Sequence, residues 1–528
     1  MGEMKNMVIN YNKIKALAVI YAIIPIIIFF IGWLNIISAL IFTVLAAAAV
    51  YFCLKNMSED DGEFKSINLS KKSIIAIGII AVVWCFFAGQ GGFVHQSSDH
   101  TIRNAILRDL ISQPWPVTYD GGGSMMSYYI AHWMVPAVMG KLMLAITGSA
   151  FAAYLTGNIV LLLWSSIGCF IVHTLVAMIT NTRKKSRIFI AIAMFIFFSG
   201  LDIVGTLMRK NIGSINGSMH LEWWAGPFQF SSNMTCLYWV YNQTIVPWII
   251  LLCLMNERKM KNAALMGILV FPYGPFPFVG IVILCLLKAG VEIYKGIRNK
   301  TLPEVFKDIL SPQNIIGLIA VAPVYMLYYT SNVMVSSVAG DTGFRVRADF
   351  IEAVTSGDFA KFKNYMFWYI AFVVLEAGLY VAVILKRIKK DPVFIGMSIS
   401  LLFIPLFQIG MSADFAMRVS IPALVYICIM FIRVVMAEIP DWGEYGSFNN
   451  CLRHKKFLAV ALIVFIIGAV TPCTEIKREF LGTLTTPYSQ MMDYFTNESL
   501  QSYGKSNFVA ADYQKSDFYK YFCKKKTQ

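Results

Sequence analysis

The feature that most restricts this chain is the recurrence of apolar runs about as long as a bilayer is thick. A spanning helix needs about 20 predominantly apolar residues. Such runs lie near 14–32, 36–54, 74–88, 126–146, 150–180, 188–205, 243–255, 315–330, 365–386, 393–410, 419–437 and 457–472. Backbone polar groups in lipid must be satisfied within their own segment, so the runs read as helices. Composition agrees: of 528 residues, 57% are hydrophobic and 14% charged, against roughly 25% charged in a soluble domain. That balance excludes a disordered chain and a string of water-facing domains. The expected fold is an all-α polytopic membrane protein of about 12–14 transmembrane helices. One segment, 263–295, is interrupted by Phe271-Pro272-Tyr273-Gly274-Pro275-Phe276-Pro277 and reads as two short helices meeting in a turn. Proline removes helix donors, so that backbone must be buried in protein or line a wet cavity.

The formal charge of +15 does not point to nucleic acid, because the basic residues fall in short groups between apolar runs. Arg183-Lys184-Lys185-Ser186-Arg187, Arg258-Lys259-Met260-Lys261, Lys386-Arg387-Ile388-Lys389-Lys390 and Arg453-His454-Lys455-Lys456 are expected on the cytoplasmic side, facing anionic membrane lipids. The loops 89–125, 206–242 and 331–364, with the short connection 411–418, then lie outside. A conflict follows for 126–180. Passing from an outer loop at 89–125 to a basic group at 183 requires an odd number of crossings, yet the stretch holds two runs. Either it contains three short spans or 126–146 lies along the interface. The organisation expected is an N-terminal transmembrane hairpin with its cytoplasmic loop (1–73), a membrane domain (74–472) and a polar tail (473–528). Crossing parity places the tail outside, although Lys524-Lys525-Lys526 argues the other way. The ten cysteines form no CxxC pair. Most sit in apolar runs as small hydrophobes, while Cys236, Cys473 and Cys523 fall in outer segments, where a disulfide is open.

Chemistry concentrates in the outer loops. The first contains Gly89-Gln90-Gly91-Gly92 and then Ser97-Ser98-Asp99-His100-Thr101-Ile102-Arg103. Ser98 or Asp99 is expected to cap a short interfacial helix whose apolar face is Ile102, Ala105, Ile106, Leu107 and Leu110. Asp99 and Arg103 are four apart and share a face, so a carboxylate, His100 and a guanidinium together pair a general base with an anion clamp. The bland alternative is a cap and a lipid-headgroup contact. The second loop interleaves Asp202, His220, Glu222, Trp223, Trp224, Trp239, Asn242, Gln243 and Trp248. Aromatic faces, planar amides and carboxylates suit a carbohydrate, and an aromatic belt is the competing reading. The third element is the turn from Gly410 to Pro422, where Asp414 and Arg418 are again four apart. Either they form a self-satisfied pair or Arg418 binds a lipid-linked phosphate. Asp341, Arg345, Arg347 and Asp349 form a mobile cover or a solvated charge run. Glu376 and His173 sit alone in apolar helices with no role assigned. P-loop, HExxH, GxSxG and EF-hand patterns are absent.

This layout resembles the GT-C glycosyltransferases, polytopic membrane enzymes that transfer a sugar from a polyprenyl-phosphate donor on the outer face. The resemblance covers most of the membrane domain as architecture. As motif it covers only the first outer loop and the 411–418 turn. It implies that Asp99 is the catalytic acid-base residue of an inverting transfer, with Arg103, His100 and Arg418 stabilising the departing phosphate. The donor tail would enter near 263–295, and the acceptor would be a cell-envelope glycan, lipid or protein. Metal dependence stays open, with Mg or Mn as the divalent cation. In this sequence the acid is followed by His100 rather than by the acidic neighbour of some members, and a hairpin at 14–54 precedes the first helix of the GT-C type. The rival expectation is a transporter or lipid or glycan flippase, in which helix breaks mark a midplane site.

Overall fold

The computed structural model describes residues 7–58, 61–119, 121, 123–180, 185–211, 213, 220–332, 343–409, 413–439, 455–486, 498–503 and 507–525. Asp341, residues 183–184 and 453–454 of two basic groups, the 410–412 part of the third turn, and Lys526 lie outside them. Helices dominate the chain. Helix α1 (Tyr11–Trp33) starts at an Asn10 side-chain cap, and α2 (Ile36–Lys55) at an Asn35 cap that closes a tight turn between them. Far from being an appendage, α1 lies in the core: Tyr21 stacks on Trp164 at 4.2 Å, and Phe29 on Tyr325 at 4.8 Å. Helix α3 (Lys71–Phe87) follows, capped by Ser70. Among the described residues eight helices are long and apolar enough to cross a membrane, nine if one bent pair is a single span. This is a polytopic membrane protein by helix length and composition. Adding the three shorter apolar helices 131–147, 187–196 and 392–406 brings the count among the described residues to eleven, or twelve with the bent pair, at or below the low end of the expected twelve to fourteen.

The basic groups gather at one end of the bundle. Lys15 pairs with Asp61 (2.9 Å) and Glu257 (3.0 Å), and Lys261 pairs with Asp61 (2.6 Å). Arg433 reaches Glu63 (2.7 Å), Arg387 reaches Glu438 (3.2 Å), and Arg187 donates to the Ile439 carbonyl (2.8 Å). At the opposite end, Asn35 donates through its backbone N–H to the Phe522 carbonyl (2.8 Å). There a three-stranded antiparallel sheet joins β3 (Thr118–Tyr119) and β4 (Ser124–Met126) of the first long loop to β7 (Val509–Ala511) of the tail. The tail therefore lies at the end of the molecule opposite the basic groups, as crossing parity requires. Two further strand pairs, β1 (Met7–Asn10) with β2 (Ser66–Leu69) and β5 (Arg345–Val346) with β6 (Phe407–Gln408), are short clasps.

The parity conflict at 126–180 is resolved by helix lengths. Helix α4 (Asp99–Ser112) is followed by α5 (Met134–Thr147) and by α6 (Ala150–Ile179), which has 30 residues. Helix α5 runs antiparallel along only the first half of α6, since His132 meets Ser165 (2.9 Å) just before α5 begins, and a Cβ at Gly140 would meet the Ala153 carbonyl at 3.0 Å. The second half of α6 continues alone. One net crossing results, with α5 as a partial-depth helix whose inner face packs on Ile111, which fills the space at Gly140 and Gly157, while Met139, Leu142 and Ile146 face outward.

Beyond α7 (Lys185–Ile196) and α8 (Asp202–Met208), α9 (Asn233–Val240) and α10 (Ile245–Asn256) form the bent pair, turning by 106° at Tyr241–Gln243. The interrupted segment 263–295 becomes α11 (Ala263–Ile268) and the long α12 (Pro275–Asn299), with Tyr273 buried and bonded to the Ala22 carbonyl (2.9 Å). Only the first is short. After α13 (Leu302–Ile309), Ser311 returns to the Lys261 carbonyl (2.6 Å), so this hairpin makes no net crossing. Then come α14 (Pro312–Thr330), α15 (Ala348–Thr355), α16 (Phe359–Val373), α17 (Leu379–Ile388), α18 (Pro392–Phe403), α19 (Asp414–Val419) and α20 (Ile421–Glu438).

The last helical pair, α21 (Lys456–Gly468) and α22 (Val470–Thr485), corrects the expected tail boundary at 473. Pro472 sits in the first turn of α22, where a missing N–H is harmless, and the helix runs on to Thr485. Hydropathy collapses there because Glu475 and Glu479 are present, yet both are buried in ion pairs on the protein side.

Candidate functional site

Helix α4 is not the half-exposed interfacial helix expected. Polar as well as apolar residues along it are buried: His100, Arg103, Asn104 and Asp109 alongside Ala105, Ile106, Leu107 and Leu110. Ser98 has helical backbone angles and makes no capping bond, so the helix begins at Asp99 without a side-chain cap. Asp109 fastens the far end by accepting from Tyr119 Oη (3.0 Å), Ser499 Oγ (3.0 Å) and the Leu500 N–H (2.9 Å). The near end is thereby held with Asp99 at the mouth and Arg103 inside.

Arg103 Nη2 donates to Asp99 Oδ2 at 3.1 Å, and Arg418 Nη2 lies 3.2 Å from Asp414 Oδ1. The two pairs share one design. Both carboxylates are 45% exposed while the guanidiniums are only 8% and 12% exposed. Each guanidinium keeps a buried nitrogen, Arg103 Nη1 and Arg418 Nε, that meets no partner among the described residues. The pairs belong to one electrostatic neighbourhood. Arg418 is held above the usual arginine range although burial pulls it down, because Asp414, Tyr129, Tyr128 and Asp99 act on it together. Tyr128 and Tyr129 feel both Arg103 and Arg418; burial pushes both phenols up. Tyr241 completes the ring, with the Arg103 guanidinium 5.9 Å from its centre. Asp99 and Arg418, remote in sequence, therefore act on one another electrostatically.

His100 differs from its expected role. It is 2% exposed, accepts at Nδ1 from Gln96 Nε2 (3.2 Å) and donates through Nε2 to the Tyr238 carbonyl (3.0 Å). Burial first, and the Arg103 charge second, lower its pKa to about 3. A neutral imidazole with both nitrogens engaged cannot stabilise a phosphate. It joins α4 to α9.

The remaining expected residues sit beyond α9. Asp202 Oδ2 accepts from Ser199 (2.9 Å) and Thr471 (2.8 Å). Its carboxyl adjoins Glu376, which accepts from Trp224 Nε1 at 2.8 Å. Glu376 thus does not stand alone; it sits in a π-helical turn at 374–378, and a Cβ at Gly200 would strike its carboxyl at 1.8 Å. Glu222 accepts from the Ser232 N–H (2.9 Å) and Gln229 (3.3 Å); burial pushes its pKa up, partly offset by His220. His220 lies 3.3 Å from Glu475, which also binds Arg478 (2.8 Å) and Trp239 Nε1 (3.1 Å). Burial pulls the His220 pKa down, but the Glu475 bond and the charges of Glu222 and Glu475 outweigh it, leaving a net rise. Trp223 is 48% exposed and packs over His220 with ring centres 5.7 Å apart. Arg347 is buried against Asp349 (3.0 Å) and faces Phe228 at 5.6 Å, which is not a solvated charge run. His173 stacks on Trp84 at 5.4 Å in the core.

Asn242 and Gln243 occupy the corner between α9 and α10. Both are buried, and both ends of both amides lack a partner among the described residues. The described cysteines are all free, so none of the three outer candidates forms a disulfide among them. Among the described residues no three His, Cys, Asp or Glu side chains group to hold a metal ion. Sequence reasoning missed Tyr128 and Tyr129, which gave no signal beyond lying at the start of an apolar run, and Glu475 and Glu479, hidden in the polar tail. No family model, curated protein or solved structure matches this chain.

Proposed function

We propose that the protein is a membrane glycosyltransferase of the GT-C type, which moves a sugar from a polyprenyl-phosphate donor to a glycan, lipid or protein acceptor at the cell membrane. The observation that carries this reading is the pairing of two accessible carboxylates with two buried, incompletely bonded guanidiniums in one neighbourhood. A phosphate monoanion or diester fits such a fork, since charge-assisted bonds to guanidinium are the strong ones. Asp99 accepts the proton of the acceptor hydroxyl as that oxygen attacks the anomeric carbon. The bond from carbon to phosphate oxygen breaks with inversion, and the phosphate leaves carrying the negative charge. Arg103 and Arg418 stabilise that charge as it grows, which accelerates the step more than it tightens ground-state binding. The lipid phosphate is itself the leaving group, so no nucleotide-binding loop is required. The clustering of basic groups at the other end supports an extracytoplasmic site under the positive-inside rule.

The bent pair at Tyr241–Gln243 beside the proline hairpin favours a second reading, a lipid or glycan flippase, because broken helices often flank transported substrates. The separating experiment supplies purified protein in vesicles with radiolabelled polyprenyl-phosphate sugars and a mixture of envelope acceptors. Transfer that disappears in Asp99→Asn supports the enzyme. Movement of intact lipid across the bilayer, equal in wild type and Asp99→Asn, supports the flippase.

A further inference from the structure

The corner of the bent pair carries an anomaly that neither reading explains. Asn242 and Gln243 are 1% and 0% exposed, yet all four of their amide atoms lack hydrogen bonds. A buried polar group without a partner is destabilising, and hydrocarbon surroundings offer no relief. Helix α10 spans the 12 residues from this corner to Asn256 at the basic end, about 18 Å at 1.5 Å per residue, so the corner lies deep in the membrane domain. Gln243 is pressed against the backbone of the proline hairpin; its Oε1 lies 3.2 Å from where a Cβ of Gly274 would sit. Tyr241, preceding them in the same turn, packs against His132 (5.3 Å) and faces Arg103 (5.9 Å). His132 itself leaves Nδ1 unpartnered while Nε2 engages Ser165.

Two primary amides at the corner, and an imidazole nitrogen on the residue packed against Tyr241, offer donors and acceptors without net charge. That set matches a polyol, in which each hydroxyl both donates and accepts. An anion would select guanidinium and a cation carboxylate; residues 241–243 carry neither, the Arg103 guanidinium lying across the Tyr241 ring. We propose that Asn242 and Gln243, with His132 Nδ1, form a hydroxyl-binding niche next to the guanidinium fork, and that it holds the sugar ring of a lipid-linked saccharide. This rests on the transferase reading and extends it to the part of the donor that the fork does not touch.

The test uses the full chain in lipid nanodiscs, with Asn242→Leu and Gln243→Met as near-isosteric apolar variants. The probes are polyprenyl phosphate, a panel of polyprenyl-phosphate hexoses and pentoses, and free oligosaccharide acceptors as competitors. Wild type is expected to bind at least one glycosylated lipid about tenfold more tightly than the bare phosphate. Each variant should lose that advantage and keep its affinity for the bare phosphate within about twofold. Without lipid, each variant should melt at or above the wild-type temperature, because unsatisfied polar atoms have been removed. Variants that bind every probe like wild type would show a niche that holds only water and overturn the proposal. A lower melting temperature with equal loss of all probes would overturn it in favour of a structural role. Loss of acceptor competition alone would overturn the donor assignment. If wild type binds the bare phosphate but gains nothing from any sugar, the niche falls and the transferase reading stands; if it binds no lipid phosphate, both fall.

Discussion

Helix α9 has charged groups on both of its sides, and the two sides are built by opposite rules. On one, Asp99 and Asp414 are 45% exposed and each arginine retains an idle buried nitrogen. On the other, Glu222, Glu475 and Asp202 are buried, and each is met by protein donors or an ion-pair partner. Cys236 feels charge from both sides, from Glu222 and from Arg418, so the two regions are near neighbours. The difference teaches how to tell a site from a scaffold when both are polar. Among the described residues, buried atoms without a partner occur on both sides, Asp202 Oδ1 and Glu479 Oε1 among them, so the distinguishing mark is exposure. A carboxylate paired internally and shut off from solvent holds helices in place, whereas one held at the surface by a buried guanidinium is open to something that is not protein.

Mutations can break this comparison. The largest effect is expected from Asp99→Asn, which should lower the rate of sugar transfer by about 10²–10⁴, the usual contribution of a positioned proton acceptor, with the thermal unfolding midpoint unchanged. A stability loss without a rate loss would place Asp99 with the scaffold. Next is Glu475→Ala across α9. It removes the carboxylate facing the buried His220 and should cost about 3 kcal/mol in unfolding free energy, while folded protein keeps its affinity for polyprenyl phosphate. Arg418→Ala should weaken that affinity about tenfold, roughly 1.4 kcal/mol, and leave the melting temperature within a few degrees. A collapse in protein yield would show that the Asp414–Arg418 pair is structural after all.

The smallest effect sharpens the scaffold side through pH. His95 Nδ1 lies 2.7 Å from Glu479 Oε2, and that hydrogen bond raises the imidazole pKa above 6.5 against the opposing pull of burial. A raised value means the pair's contribution is complete below the unfolded pKa and is lost as pH rises through the folded one. Melting curves between about pH 6 and pH 9 should therefore decline in wild type more steeply than in His95→Gln, whose curve lacks this component. Parallel curves would remove the pair from the account of stability.

Much of the fold was legible because apolar length is a direct requirement of the bilayer. The runs at 14–32, 36–54 and 150–180 return as α1, α2 and α6 with their ends shifted by a few residues. What failed did so where charge is hidden by pairing. Glu475 and Glu479 read as the start of a polar tail, and Glu376 as an isolated anomaly, because hydropathy scores a residue without its partner. For the candidate site, i and i+4 spacing gave both ion pairs from sequence. Which pairs fall in one electrostatic neighbourhood was not legible, since that depends on packing between loops hundreds of residues apart. The inert state of His100 was equally out of reach, because it follows from the Tyr238 carbonyl and the Gln96 amide.

The strand β7, docked on β4 beside Tyr128, ties assembly to synthesis. Phe508 packs on Tyr128 with ring centres 4.7 Å apart, and the Ser127 N–H donates to the Phe508 carbonyl. A ribosome that has threaded every helix into the bilayer has still not made the piece that packs on Tyr128. The nascent chain thus lacks the Phe508 contact on Tyr128 until its closing strand emerges, and a premature stop between residues 486 and 507 would leave every helix made and this sheet incomplete.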